Sequence, residues 1–339
     1  MTDLHIGTQS VRFGAPPSIL SFAAVGGKKE AEGPLAAEFD YTSKDTTFGQ
    51  KSWEKAESKI QELALDAAKR KLDATYQDID ALFAGDLLNQ CIGTSFALRS
   101  TGIPFLGLYG ACSTMAESLL LAASWVSAGY ARLAAALTSS HFASAERQYR
   151  FPLGYGGQRT PTAQWTATAA GCCILGQTAH GPYVLGATVG RIVDLGIKDA
   201  NNMGAAMAPA AVDTLEQHFR DFGLSPADYD LIVTGDLGAL GKQIVLEQTA
   251  KDGYDLSGNY DDCGVLLFDA ARQDVHAGGS GCGCSAGVLC GHLLRRMQRG
   301  ELKNLLFCAT GALLSPVSTW QGESIPGICH AVSLSMERR

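Results

Sequence analysis

Ile103-Pro-Phe-Leu-Gly-Leu-Tyr-Gly-Ala-Cys112-Ser-Thr-Met-Ala-Glu-Ser118 is the stretch whose reading decides the fold. An apolar run from Ile103 to Leu108 ends in the small-residue turn Gly110-Ala111, and a cysteine follows at once. Beyond it Met115, Leu119, Ala122, Ala123 and Val126 recur at three- and four-residue steps, the period of a helix with one buried face. The pattern predicts that Cys112 sits where a buried strand hands over to a helix. Unpaired backbone N–H groups and the positive end of the helix dipole meet at such a point, and both favour a thiolate. The position suits a nucleophilic thiol beside an oxyanion hole. It equally suits a small cysteine buried for packing.

The surrounding composition narrows the choice. The chain has 339 residues, 46% hydrophobic and 18% charged, enough for two packed units. A net charge of −7 argues against nucleic acid as a partner. Ten cysteines stand at irregular spacings, and Met1 to Arg12 lacks the apolar segment of a secretory signal, so the thiols read as reduced. Leu119 to Leu137 carries one charge, Arg132, but Gly129-Tyr130 interrupts it. It reads as a core helix followed by a buried strand, not a membrane span.

Working outward, the chain repeats itself. Ser18 to Val25 reads as a strand, and residues 31–52 as a polar, irregular loop of a length that often serves function. Glu54 to Leu72 reads as an amphipathic helix, with Ile60, Leu63, Ala64, Ala67 and Leu72 on one face. Next comes Asp78-Ile-Asp-Ala-Leu-Phe-Ala-Gly-Asp-Leu87, an apolar strand between acidic ends. Asp228-Tyr-Asp-Leu-Ile-Val-Thr-Gly-Asp-Leu237 matches it at five of ten positions, 150 residues later. The preceding helix recurs through Ala211, Leu215, Phe219 and Phe222. Cys112-Ser113 is echoed by Cys284-Ser285, each before an apolar helix that ends near Gly129 or Gly300, with strands Leu133–Thr138 and Asn304–Thr310 after. The order predicts an internal duplication, with halves 1–181 and 182–339. Each half is expected to be a mostly parallel sheet with crossover helices.

The segment 141–168 carries His141, Arg147, Arg150, Tyr155, Arg159 and Trp165. From Arg147 through Val193 there is no acidic residue, although the chain as a whole is acidic. Its arginines could hold an anion, or pair with carboxylates from elsewhere in the fold.

The duplicated halves and the cysteine on a strand-to-helix turn resemble the thiolase superfamily, which includes thiolases and ketoacyl-acyl carrier protein synthases. More closely, Gly107-Leu-Tyr-Gly-Ala-Cys-Ser-Thr114, Ser139-Ser-His-Phe-Ala-Ser-Ala-Glu-Arg-Gln148 and Phe151-Pro-Leu-Gly-Tyr155 with Gln158-Arg159 resemble the stage V sporulation protein AD family. The resemblance implies an α/β fold, a duplicated αβαβα layering with two mixed, mostly parallel sheets. In condensing enzymes of this superfamily the cysteine takes an acyl group. Two groups from the second half, usually His with His, Asn or Cys, handle protons and the oxyanion.

This sequence departs from that pattern. The place after strand Leu231–Thr234 reads Gly235-Asp236-Leu237, and the glycine-rich turn reads Gly278-Gly-Ser-Gly-Cys-Gly-Cys-Ser-Ala-Gly287, without imidazole or carboxamide. An Asp is ionised near neutral pH unless strongly desolvated, and it would repel a thiolate. His141 is the substitute candidate for the Cys112 pocket. His292 falls inside the predicted second-half helix. Cys282, Cys284, Cys290 and His292 lack the spacing of a zinc site, and no other cofactor is expected. Cys172 and Cys173 are expected to pack on opposite faces of a strand.

The resemblance therefore implies a non-catalytic protein of spore formation that binds dipicolinic acid, pyridine-2,6-dicarboxylate, free or as its calcium chelate. Cys112, His141, Arg147, Arg150, Tyr155, Arg159, Asp236 and Cys284 are the candidate ligand-binding residues, Cys112 being the vestigial nucleophile. It also implies a homodimer, association with other stage V sporulation A membrane proteins, and a place in the forespore, peripheral to the inner membrane. The alternative is a working acyltransferase or condensing enzyme that uses Cys112.

Overall fold

A computed structural model of the chain describes residues 4–149 and 159–338. Arg150 and Tyr155 lie outside the described residues. Ten principal strands fall into two sets of five. The first set comprises Ser18–Gly26, Ala81–Gly85, Phe105–Gly107, Ala134–Ser140 and Ala169–Gly176. The second comprises Tyr183–Thr188, Leu231–Thr234, Tyr260–Asp262, Asn304–Ala312 and Gly327–Ser335. Numbered within its own set, each follows the spatial order 3-2-4-5-1. In each set only the fifth strand runs against its neighbours. The same order twice is the duplication that the repeated decapeptide predicted. The two sets also meet, through the single pair Tyr183↔Ser18, and count as one thirteen-stranded sheet with the short N-terminal strands. The expected two sheets are thus joined at their edges.

Side-chain alternation builds three cores from these strands. Ala81 and Phe83 face inward to a central core, while Leu82 and Ala84 face an outer one. In the second half Leu305, Phe307 and Ala309 face the same central core, and Leu306 and Cys308 the opposite outer one. Helix Trp53–Lys71 covers the first outer face; its Ser52 cap accepts a hydrogen bond from the Lys55 N–H. Helix Met203–Phe222 covers the other. The central layer holds helix Thr114–Ser127 and the helical run from Cys282 to Gln298, which widens by a turn at Leu289–Leu293. Gly129 and Gly300 close these two helices at φ 79° and 76°, a backbone region that costs glycine little.

The helical run from Cys282 presses close on strand Ala169–Gly176. A Cβ on Gly171 would lie 2.3 Å from the Ala286 carbonyl oxygen, and one on Gly283 2.3 Å from that of Ala169. All ten cysteines are buried and unbridged, spread through every layer. Cys172 faces the outer core and Cys173 the central one, as alternation requires; the Cys173 sulfur lies 3.5 Å from that of Cys290.

One expectation is corrected. The strand before Cys112 is not buried. It is reduced to Phe105–Gly107 at the edge of the sheet, and Leu106 is 40% exposed. An edge strand has a partner on one side only, so its apolar residues lack cover. Among the described residues no helix is long and apolar enough to cross a membrane.

Candidate functional site

Cys112 stands in the tight turn Ala111–Ser113 that opens helix Thr114–Ser127. Ala111 adopts φ 51°, a left-handed value uncommon for a residue with a side chain. The second half clamps the turn: a Cβ on Gly311 would lie 2.4 Å from the Gly110 carbonyl oxygen. The sulfur is thereby presented to the second half. It is 6% exposed, in an apolar group with Leu87, Ala145 and Cys282.

What it meets there is Asp236. The Cys112 thiol lies beside the Asp236 carboxylate, close enough for each to shift the other's titration. That carboxylate also accepts from the Gly281 N–H at 2.8 Å, the Thr310 hydroxyl at 2.9 Å and the Ser280 hydroxyl at 3.3 Å. Burial, then the negative field of Asp236, pushes the Cys112 thiol well above its ordinary value. Burial likewise raises Asp236, against the pull of its donors. The thiol is held protonated, the reverse of what a nucleophile needs. The Gly281 N–H beside it is engaged by the carboxylate.

The cavity over Cys112 is small, about 40 Å³, with room for a few waters. Leu87, Glu146, Tyr149, Met203 and Leu314 line it. Glu146 is buried and accepts from the Thr166 hydroxyl at 3.1 Å. No imidazole is among the described residues lining this cavity.

His141 lies elsewhere. Its Nε2–H donates to the Thr46 carbonyl at 2.7 Å, and its Nδ1 accepts from the Ala143 N–H at 3.2 Å. Burial depresses its pKa, so the ring is neutral. It lines a larger cleft of about 420 Å³, together with Lys28, Lys29, Glu30, Trp53 and Trp165. The polar loop 31–52 is what carries Thr46 to it.

The described arginines of the acid-free segment each have a carboxylate partner. Arg147 pairs with Glu54 and sits over Trp53. Arg159 pairs with Asp274 of the second half at 3.2 Å and lies 4.8 Å from the Trp165 ring centre. Arg191 pairs with Asp213. Cys284 packs in the central core, and it is Cys282, two residues earlier, that adjoins Cys112. His292 lies within the central helical run, 3.8 Å from Glu38.

Sequence reasoning missed Glu57, Glu146 and the Lys28-Lys29-Glu30 turn. Glu57 shares the buried face of its helix with Ile60 and Ala64, and an acid on an apolar face was the available signal. It is fully buried, accepts from the Ser144 hydroxyl at 2.7 Å and the Ser139 hydroxyl at 3.2 Å, and is raised well above its ordinary value by burial and by the nearby Asp86.

Residues 7–335 match the family described as Stage V sporulation protein AD (SpoVAD). The stage V sporulation protein AD of Bacillus subtilis (strain 168) is 46% identical over 326 residues, which cover 96% of each chain. Among solved structures, 3-oxoacyl-[acyl-carrier-protein] synthase III from Aquifex aeolicus superposes with a TM-score of 0.57 at 11% identity, over 94% of this chain and 99% of that one. Human mitochondrial 3-ketoacyl-CoA thiolase in complex with CoA superposes with a TM-score of 0.56 at 12% identity, over 96% and 99%. These two establish the fold alone.

Proposed function

Because the chain belongs to the stage V sporulation protein AD family, a family of sporulation proteins, we propose that it binds dipicolinic acid and supports its uptake into the developing spore without changing it chemically. The observation that carries this reading is the buried Asp236 carboxylate beside the Cys112 thiol. A condensing enzyme needs a thiolate, a base to form it and free donors for the oxyanion. Here a carboxylate stands against the sulfur and occupies a backbone donor. Loss of a well-placed base or oxyanion donor lowers a rate by about 10²–10⁴. The cavity is also too small for an acyl chain.

Two measurements test this. Intact-mass analysis after incubation with acyl-coenzyme A is expected to show no adduct; an adduct lost in Cys112→Ser would instead make the protein an acyltransferase. Calorimetry with dipicolinate, alone and with calcium, is expected to show binding, and silence at millimolar ligand would remove the holding role.

The same reading includes a homodimer, association with other stage V sporulation A membrane proteins, and a position peripheral to the inner membrane of the forespore. The open edge of strand Phe105–Gly107 supports the homodimer, since its unpaired backbone groups can continue the sheet into a second copy. Light scattering on the wild type and on Leu106→Pro checks it: a dimer that becomes a monomer supports the edge contact, and an unchanged mass opposes it.

A further inference from the structure

We propose that a second small-molecule site lies where the N-terminal strand Ser10–Arg12 and the end of helix Met203–Phe222 meet strand Gly327–Ser335, and that it takes a short aliphatic monoanion carrying a hydroxyl at its far end. The site shares no lining residue with the Cys112 cavity and does not rest on the holding function. It encloses about 210 Å³. That is the liquid volume of about seven waters, the bulk of a short organic acid. Phe13, Leu185 and Phe222 give it apolar walls. Arg12 and Asn304 stand at its open side, and Tyr229 and Ser333, both buried, form its floor.

The open side offers donors. The Arg12 guanidinium lies 5.6 Å from the Phe222 ring centre and has no carboxylate partner among the described residues. The Asn304 Oδ1 accepts from the Ser335 hydroxyl at 2.9 Å, which leaves its NH₂ group to donate elsewhere. A guanidinium beside a carboxamide N–H suits a carboxylate. The neighbouring Asp230 accepts from the Lys303 and Asn304 N–H groups and does not line the cavity.

The floor has the opposite polarity, and a hydrogen-bond chain sets it. Burial, which would raise Asp221, is outweighed by the hydrogen bonds it accepts from Ser10, Gln9, Gln217 and Thr8, so it is ionised and can only accept. The Ser10 hydroxyl donates to it at 2.8 Å, so the Thr188 hydroxyl, 2.8 Å from Ser10, donates to Ser10. Thr188 then accepts the Nδ1–H of His218 at 2.8 Å. Burial pushes His218 down to about 3, so the ring is neutral and its Nε2 accepts from the Tyr229 hydroxyl at 2.6 Å. Tyr229 in turn accepts from Ser333 at 3.3 Å. The chain therefore ends at a buried Ser333 oxygen that has spent its proton and faces the cavity as an acceptor. A ligand hydroxyl completes it.

The test is a ligand-observed NMR titration with two probes, 6-hydroxyhexanoate and hexanoate, which lacks the terminal hydroxyl. The proteins are wild type, Arg12→Met and Ser333→Ala, each checked for folding by its melting curve. Wild type is expected to bind both, the hydroxy acid about threefold or more tighter, the scale of one neutral hydrogen bond. Arg12→Met should weaken both about tenfold or more, the scale of a charge-assisted contact. Ser333→Ala should leave hexanoate within about twofold and erase the advantage of the hydroxyl. Wild-type silence toward both probes at millimolar concentration would overturn the site, and so would unchanged binding by Arg12→Met. A hydroxyl advantage that is missing from the wild type, or that survives Ser333→Ala, would overturn the assigned ligand class. Arg12 is exposed, so its variant and the comparison of the two probes keep the proposal open to refutation should Ser333→Ala fail to fold.

Discussion

Asp86 and Asp236 occupy the same place in the repeated decapeptide, 150 residues apart, each at the end of the second strand of its set. Their surroundings differ. Asp86 serves its own half: it accepts from the Leu88 N–H at 2.8 Å, the Thr94 N–H at 2.7 Å and the Thr94 hydroxyl at 2.5 Å. It shares this interior with Glu57, and Gln61 ties Thr94 to Ser139 behind them. Asp236 instead reaches across to the first half and meets a thiol. Duplication therefore fixed where a carboxylate stands, and the partner across the interface fixed what it does. In the first half it ties down a loop; in the second it lies against a buried thiol and raises its pKa.

The most severe break of this comparison is Asp86→Ala. It leaves two backbone N–H groups and a hydroxyl buried without acceptors, and should cost about 3 kcal/mol or more in a urea titration. A loss below about 1 kcal/mol would show that Asp86 does not hold the loop. Asp236→Asn should act on chemistry instead. Removing the carboxylate lowers the Cys112 thiol toward its ordinary value, so alkylation of Cys112 by iodoacetamide at pH 8 should quicken about tenfold, read by peptide mass mapping. An unchanged rate would mean that burial alone silences the sulfur.

A smaller effect follows from titration. Glu57 and Asp86 are both raised in the folded protein, chiefly by burial. A carboxyl raised above its unfolded value favours the fold while protonated, so this contribution is full below about 4 and fades as pH climbs. The melting temperature should therefore fall between pH 5 and pH 8, and Glu57→Gln should flatten that fall by about 2 °C or more. A fall as steep in the variant would exclude Glu57 as its source. Least affected should be Arg147→Ala, which removes an exposed ion pair with Glu54. It should cost under about 1 kcal/mol, and less still in high salt.

Local pattern carried the fold. The strand, helix and glycine signals around Cys112 and Gly129 recur around Cys284 and Gly300, and periodicity alone placed the central helices. The absence of an imidazole after Leu231–Thr234 was equally legible, because it needed only the register of one strand. Long-range pairing was not. Nothing local says that Arg159 meets Asp274, since the partners stand 115 residues apart and touch only when the halves close. Choosing Cys284 over Cys282 failed for a subtler reason: Gly281, at φ 95°, sets where the helix begins, and two residues along a helix is more than half a turn. His141 was assigned to the wrong cavity because the loop 31–52, which holds it through Thr46, has no periodic signal of its own.

The scattering of ten reduced sulfurs through the interior gives the molecule a built-in clock for its own breathing. Cys308 and Cys329 report one outer layer, Cys172 the other, and Cys284 and Cys290 the middle. Each can be labelled only when its layer parts, so the sequence in which they react would record the order in which the layers come apart.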